Sequence, residues 1–260
     1  MNILLAFKAE PDLSMLAEAD WQAAARGILG PDPSLMRLIM GTDEQGAAEL
    51  MLQARDVNPA LTLNAVTLGD ARALPALRHL AALGFVRQTL LCSKEDTRFN
   101  SAFVAAQLAI LVKEQNAKLV LLGSQSSEGQ NGQTAWLLAE MLGWPCISSV
   151  CGLNVDGDGW VVESENVQQR SRWRVQQPAV LRVQNRGQMA CRVPGMRARL
   201  AAAKAEIEQR RCEPGVETAL SCLGLERNIV RRCGIIIDEA TLQAAVQRLW
   251  REYLAERMKP

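Results

Sequence analysis

The residues best suited to chemistry lie in one polar segment, Gly123-Ser124-Gln125-Ser126-Ser127-Glu128-Gly129-Gln130-Asn131-Gly132-Gln133-Thr134, between an apolar run and a helical pattern. Its glycines allow backbone to fold close to a ligand. The first N–H groups of the following helix are unpaired donors at the positive end of its dipole, so the site can hold a phosphate without Lys or Arg. The backbone of Gln130, Asn131, Gly132, Gln133 and Thr134 could supply those donors, and the Thr134 hydroxyl could add one more. A capped helix start with no ligand has much the same composition, so the residues alone leave both readings open. The segment lacks the Gly-Lys-Ser or Gly-Lys-Thr of a Walker loop, and no Gly-x-Gly-x-x-Gly follows any strand pattern.

Other reactive side chains are sparse. The single histidine, His79, falls in a helical stretch and is a poor candidate for Ser-His-Asp chemistry. Seven cysteines stand singly at 92, 146, 151, 191, 212, 222 and 233. With no Cys-x-x-Cys pair and an odd count, disulfides and zinc or iron–sulfur sites are not expected. Basic and acidic residues nearly balance, 29 against 28, unlike the concentrated charge of a nucleic-acid binder. The basic cluster Arg197, Arg199, Lys204, Arg210 and Arg211 is interleaved with Glu206 and Glu208 and reads as a solvated helix face. No apolar stretch approaches the roughly 20 residues that span a bilayer. The opening run reads as a buried strand rather than a signal peptide, so the cytoplasm is the expected location.

The elements that must position the polar segment alternate strand and helix. Apolar runs at 3–7, 62–68, 88–92 and 118–122 predict strands. Helical spacing predicts helices near 43–55 (Ala47, Leu50, Met51, Ala54) and 71–82 (Leu74, Leu77, Leu80, Ala81). A third helix opens at Asn100, a suitable N-cap. A fourth, ended by Gly143 and Pro145, is expected to turn Leu137, Leu138, Met141 and Leu142 inward. This alternation predicts an α/β fold: three layers, a mostly parallel Rossmann-like sheet with helices on both faces. Ligands of such sheets sit beyond the carboxyl ends of the strands, which directs attention to loops 8–12, 69–71 and 123–134. From about 146 the pattern turns hairpin-like, with strands at 146–155, 160–163, 171–175 and 179–183, so antiparallel members are expected. An amphipathic helix over 196–209, with Met196, Leu200, Ala203 and Ile207 on one stripe, is followed by looser chain over 210–232. A strand at 234–237 and a helix over 239–258 close the sequence. The expected organisation is a nucleotide-binding domain over 1–208 and a carboxyl-terminal arm over 209–260 that packs on a partner.

Several ordered motifs resemble those of electron transfer flavoprotein beta subunits. Leu121-Leu122-Gly123-Ser124-Gln125, Asn131-Gly132-Gln133-Thr134 and Leu138-Ala139-Glu140-Met141-Leu142-Gly143-Trp144-Pro145 look like the family's signature region. Ile3-Leu4-Leu5-Ala6-Phe7-Lys8 with Pro11-Asp12 is similar to its opening strand and turn. Gln177-Pro178-Ala179-Val180, then Arg192-Val193-Pro194-Gly195-Met196 and Ala202-Ala203-Lys204, resemble its later strand entry, loop and helix.

The resemblance implies a heterodimer in which an alpha subunit holds most of an FAD and this chain holds AMP, or in some members a second FAD used to split electron pairs. It implies a phosphate site at Gln130, Asn131, Gly132, Gln133 and Thr134, adenosine against Ala6, Phe7, Lys8, Val66, Thr67, Leu68 and Gly69, and Gly123 among the residues that bind the cofactor. It further implies that Met196 docks a flavin dehydrogenase and that electrons pass to a quinone reductase-like acceptor, with no catalysis by this chain. The chain departs from the pattern in three places. Ser126-Ser127-Glu128-Gly129 replaces a run of aspartates, Leu13 an aromatic, and Gly41-Thr42-Asp43 an Asn-Pro-aromatic turn. A stand-alone adenine-nucleotide hydrolase or a nucleotide sensor are the alternatives; for the former, Ser126, Ser127 and Glu128 offer thin support beside the acids that Mg²⁺ requires.

Overall fold

The computed structural model describes residues 1–24, 36–93, 97–127, 131–187, 189–215 and 234–258. The chain divides into two compact units, Met1–Leu225 and Glu226–Pro260.

The first unit is built on alternation. In β1 (Asn2–Ala6), Ile3 and Leu5 face one core while Leu4 and Ala6 face the other, and all four are buried. A strand apolar on both faces belongs inside a sheet covered by helices. In chain order follow β2 (Ala9–Pro11), α1 (Glu18–Ala24), β3 (Leu38–Met40), α2 (Thr42–Val57), β4 (Thr62–Gly69), α3 (Leu74–Ala82) and β5 (Arg87–Cys92). Then come α4 (Ser101–Glu114), β6 (Leu119–Gly123), α5 (Thr134–Leu142), β7 (Cys146–Asp156), β8 (Gly159–Glu165), β9 (Arg170–Val175), β10 (Ala179–Val183), α6 (Met196–Ala203) and β11 (Glu208–Arg211).

Nine strands form one sheet in the order β11-β5-β4-β1-β6-β10-β7-β8-β9. The pairs from β11 to β7 are parallel, and β7–β8 and β8–β9 are antiparallel. The three-layer, mostly parallel α/β sheet read from the sequence is therefore present. On one face α2 and α3 pack Ala47, Leu50, Met51, Leu77 and Leu80 onto Ile3, Leu5 and Leu121. On the other, α4 and α5 pack Leu108, Leu111, Val112 and Leu138 onto Leu4, Val120 and Leu122. Strand order reverses beside β1: β4 and β5 extend to one side and β6 lies on the other. That reversal opens a crevice at the carboxyl ends of β1 and β6, where α/β sheets bind ligands.

Four details differ from the sequence reading. β10 is not a hairpin member; it lies parallel between β6 and β7. α5 buries Leu138 and packs Leu137 and Leu142 against the core as expected, but it turns Ala135 and Ala139 inward in place of Met141, which is 42% exposed. The helix expected over 196–209 ends at Ala203, and residues 208–211 pair with β5 as a further strand. Met196 and Leu200 are 70% and 64% exposed, while Ala202 is the buried residue of α6. A two-stranded antiparallel sheet, β2 with β3, is a feature the sequence did not suggest.

In the second unit, residues 234–239 are not a strand. α7 (Leu242–Leu249) is capped by the Thr241 hydroxyl, which accepts the Ala244 N–H at 3.2 Å. It continues into a π-helical turn, Trp250–Leu254. Leu242, Val246, Leu249 and Trp250 are all exposed. No described helix is long and apolar enough to cross a membrane.

Candidate functional site

The crevice beyond β1 and β6 is an open cleft with about 780 Å³ of empty space, part of it solvent. The end of β1 contributes Ala6, Phe7 and Lys8, β6 and its loop contribute Gly123 to Ser126, and the start of α5 contributes Asn131, Gly132 and Thr134. Leu68, Leu122, Val104 and Leu108 make one wall apolar.

Carboxylates hold the loop after β6 in place. Asp43, in the first turn of α2, accepts the N–H groups of Ser124 at 3.1 Å and Gln125 at 3.3 Å with one oxygen. Its other oxygen accepts the Asn185 N–H at 2.8 Å. Glu10 on β2 accepts both the N–H and the hydroxyl of Ser127, at 2.6 and 2.7 Å. Lys8 Nζ donates to Ser126 Oγ at 3.4 Å, and the Arg182 guanidinium donates to the Ser124 carbonyl at 3.1 Å. Gly132 lies at φ +60°, where a Cβ would also meet Arg182 Nη2 at 2.9 Å and the Ser124 carbonyl at 3.1 Å. Only glycine meets both demands without strain. The N-cap of α5, Gln133, makes no side-chain cap hydrogen bond, so the first amides of that helix are not taken by their own cap.

Glu44 stands deepest among the acids. It is 4% exposed and lines the cleft, and one carboxyl oxygen, Oε2, is buried without a hydrogen-bond partner. Its carboxyl is wedged between two glycines: a Cβ at Gly41 would lie 2.5 Å from Oε2, and one at Gly123 would overlap the carboxyl as well. Burial pushes the Glu44 carboxyl up to about 8 from the ordinary 4.5; Glu10 and Asp43 add to the rise, while its own backbone N–H and Lys8 oppose it.

Of the residues expected at a site, Ala6, Phe7, Lys8, Leu68, Gly123, Asn131, Gly132 and Thr134 come together around the cleft. Val66 and Thr67 do not line it; both side chains are fully buried in the sheet, and the Val66 carbonyl accepts the Phe7 N–H at 3.0 Å. Gly69 at the end of β4 and the exposed Gln133 also lie outside the lining. Gln130, Glu128 and Gly129 fall outside the described residues. The sequence reading missed Glu10, Asp43, Glu44 and Arg182, although Gly41-Thr42-Asp43 had stood out as a departure.

A second feature is the loop before α6. Arg192 donates to Glu49 on α2 at 2.8 Å and pairs with Asp56 at 2.7 Å, and its backbone N–H donates to Glu49 at 3.0 Å. Burial pushes the Glu49 carboxyl up, but the Arg192 hydrogen bonds outweigh it and hold the pKa below 4.5. Beyond this anchor Val193 and Met196 are 73% and 70% exposed. Cys92, Cys146, Cys151, Cys191 and Cys212 are free thiols, and among the described residues no cluster of acids, histidines and cysteines is arranged to hold a metal ion.

Comparison with known proteins shows the family. A family model described as "Electron transfer flavoprotein domain" matches residues 44–213. YgcR of Escherichia coli (strain K12), named as a candidate electron transfer flavoprotein subunit, is 48% identical over 260 residues, the whole of both chains. The electron transfer flavoprotein subunit beta of Bacillus subtilis (strain 168) is 29% identical over 120 residues, 46% of each chain. CarD, a subunit of the caffeyl-CoA reductase-Etf complex of Acetobacterium woodii, is 28% identical over 131 residues, 49% of each chain. The chain belongs to the electron transfer flavoprotein family, as a divergent member similar to its beta subunits.

Proposed function

We propose that the chain is the beta subunit of a heterodimeric, cytoplasmic electron transfer flavoprotein and that its cleft holds AMP. The observation that carries this reading is the cleft beyond β1 and β6, with its fixed loop, the left-handed Gly132 and a helix start without a side-chain cap. Phosphate fits the α5 amides and the Thr134 hydroxyl, and the base fits the apolar wall. Ala6, Phe7 and Lys8 at the end of β1 and Leu68 on β4 would lie along the nucleoside. The larger nucleotide FAD is the alternative occupant. The alpha subunit would carry the electron-transferring FAD, which supplies the redox chemistry when bound.

Met196 is the proposed docking residue for a flavin dehydrogenase. Its exposure favours that role over membership of a core stripe, and the Arg192–Glu49 pair fixes the loop that presents it. The exposed apolar residues of α7 suit packing on the alpha subunit. The acceptor would be a quinone reductase-like flavoprotein. Co-expression with an alpha subunit tests the proposal. A stable complex with oxidised-flavin absorbance that bleaches on reduction is the expected result. A chain that stays alone and colourless beside every alpha subunit of its organism would refute it.

A further inference from the structure

Glu44 is more than a structural acid. Its carboxyl lines the cleft, it is almost wholly buried, and Oε2 has no hydrogen-bond partner. A buried polar atom left unpaired costs on the order of 1–3 kcal/mol, and a ligand in the adjoining cleft is a partner that would offset that cost. The backbone is shaped around it: Gly41 on one side and Gly123 on the other leave room that any side chain would fill. The charged groups that face it are Lys8 from the end of β1, Glu10 from β2 and Asp43 from α2. Two acids against one base make a third negative charge unfavourable there. Glu10 and Asp43 already spend oxygens on loop N–H groups, which keeps them in the acceptor role.

We propose that Glu44 takes part in nucleotide binding as a neutral carboxylic acid, its carboxyl turning on binding to donate its O–H to the nucleotide. A carboxylate at this position could only accept, and would repel a phosphate-bearing ligand. The neutral acid both donates and accepts, which suits a ligand rich in acceptors. The inference rests on the adenine-nucleotide reading above.

The sign of the pH effect follows. The binding form is the protonated one, so affinity is constant below the carboxyl's titration and declines above it. With the carboxyl titrating at about 8, AMP affinity falls about tenfold per pH unit beyond that point, to roughly 30-fold weaker at pH 9.5 than at pH 7. Between pH 7 and 9.5 AMP is predominantly the dianion, its second phosphate ionisation being near pH 6. Glu44→Gln keeps a neutral donor of the same size and removes the titration.

The test is calorimetric titration of the full-length chain, stripped of nucleotide and in complex with its alpha subunit, with AMP from pH 6.5 to 9.5. A parallel series at pH 8.5 uses buffers of different ionisation enthalpy. The expected result is net proton uptake at pH 8.5, a steep loss of affinity in the parent chain, and an affinity in Glu44→Gln that varies less than threefold over the whole range. A flat profile without proton uptake, or the same loss in Glu44→Gln as in the parent, overturns the role of Glu44 while leaving the AMP site intact. No AMP binding at pH 7 in either protein overturns the nucleotide reading itself. Proton uptake is read on the parent chain alone, so a poorly folding variant does not block the decision.

Discussion

Glu10 and Asp43, and Glu44 beside them, lie far in sequence from the loop that the first two hold, and an acid in the first turn of a helix is also what any helix start favours. Nothing local distinguished Asp43 as a clamp for Ser124 and Gln125, so these residues were not legible without the fold. That Gly132, Thr134 and Lys8 would lie at one cleft was legible, because glycine beside a helix start carries a backbone meaning and the surrounding motif is specific. At Gly132, an alanine would combine φ +60° with a close approach to Arg182 and the Ser124 carbonyl. Gly132→Ala is expected to cost about 1–2 kcal/mol of stability and to weaken AMP binding by at least tenfold, read by thermal unfolding and calorimetry. Glu44 also links stability to pH. Its folded pKa is raised from 4.5 to about 8, so its stabilising contribution is full below 4.5 and is lost as pH rises through about 8. Urea unfolding should therefore show the parent chain losing up to about 1.4 kcal/mol per pH unit across that window relative to Glu44→Gln. Carboxylates with lowered pKa values, such as Glu49 and Glu208, act in the opposite direction in both proteins and cancel in the comparison.

At the scale of elements, period and caps carried well where one face was buried. β1, β4, β6 and α4 follow the sequence reading within a residue or two, and Asn100 caps α4 as expected, accepting the Phe103 N–H at 3.1 Å. The reading failed where size and burial part company. In α5 the large Met141 faces outward and the small Ala135 and Ala139 inward. In α6 an apolar stripe continued past Ala203 on paper, yet residues 208–211 join the sheet edge, held by Arg87 to Glu208 at 2.9 Å and by Arg210 to Glu114. The exposed Met196 makes a separable prediction. Met196→Glu should leave unfolding within about 0.5 kcal/mol and slow electron transfer from the dehydrogenase at least tenfold at subsaturating concentrations. Arg192→Ala, which strands the 9%-exposed Glu49 side chain, should instead destabilise the fold by about 2 kcal/mol and weaken docking by loosening the same loop. Equal effects of the two substitutions on stability would contradict this division of labour.

For the molecule as a whole, strand–helix alternation made the parallel sheet legible, but the place of β10 was not. Four strands in succession look like a meander, and only long-range pairing inserts β10 beside β6. The division into units Met1–Leu225 and Glu226–Pro260 gives the carboxyl-terminal prediction its form. Removal of residues 226–260 should leave a cooperatively unfolding sheet unit and weaken alpha-subunit binding at least tenfold, because the exposed Leu242, Val246, Leu249 and Trp250 are lost. Unchanged binding by the truncated chain would place the alpha-subunit contact elsewhere. The central claim, an adenine nucleotide held beyond β1 and β6 within a flavoprotein heterodimer, is tested most directly by denaturing the purified complex and separating its released nucleotides by chromatography. One AMP and one FAD per heterodimer is the predicted result. A stable complex that releases no adenine nucleotide beyond the alpha subunit's own FAD would contradict it.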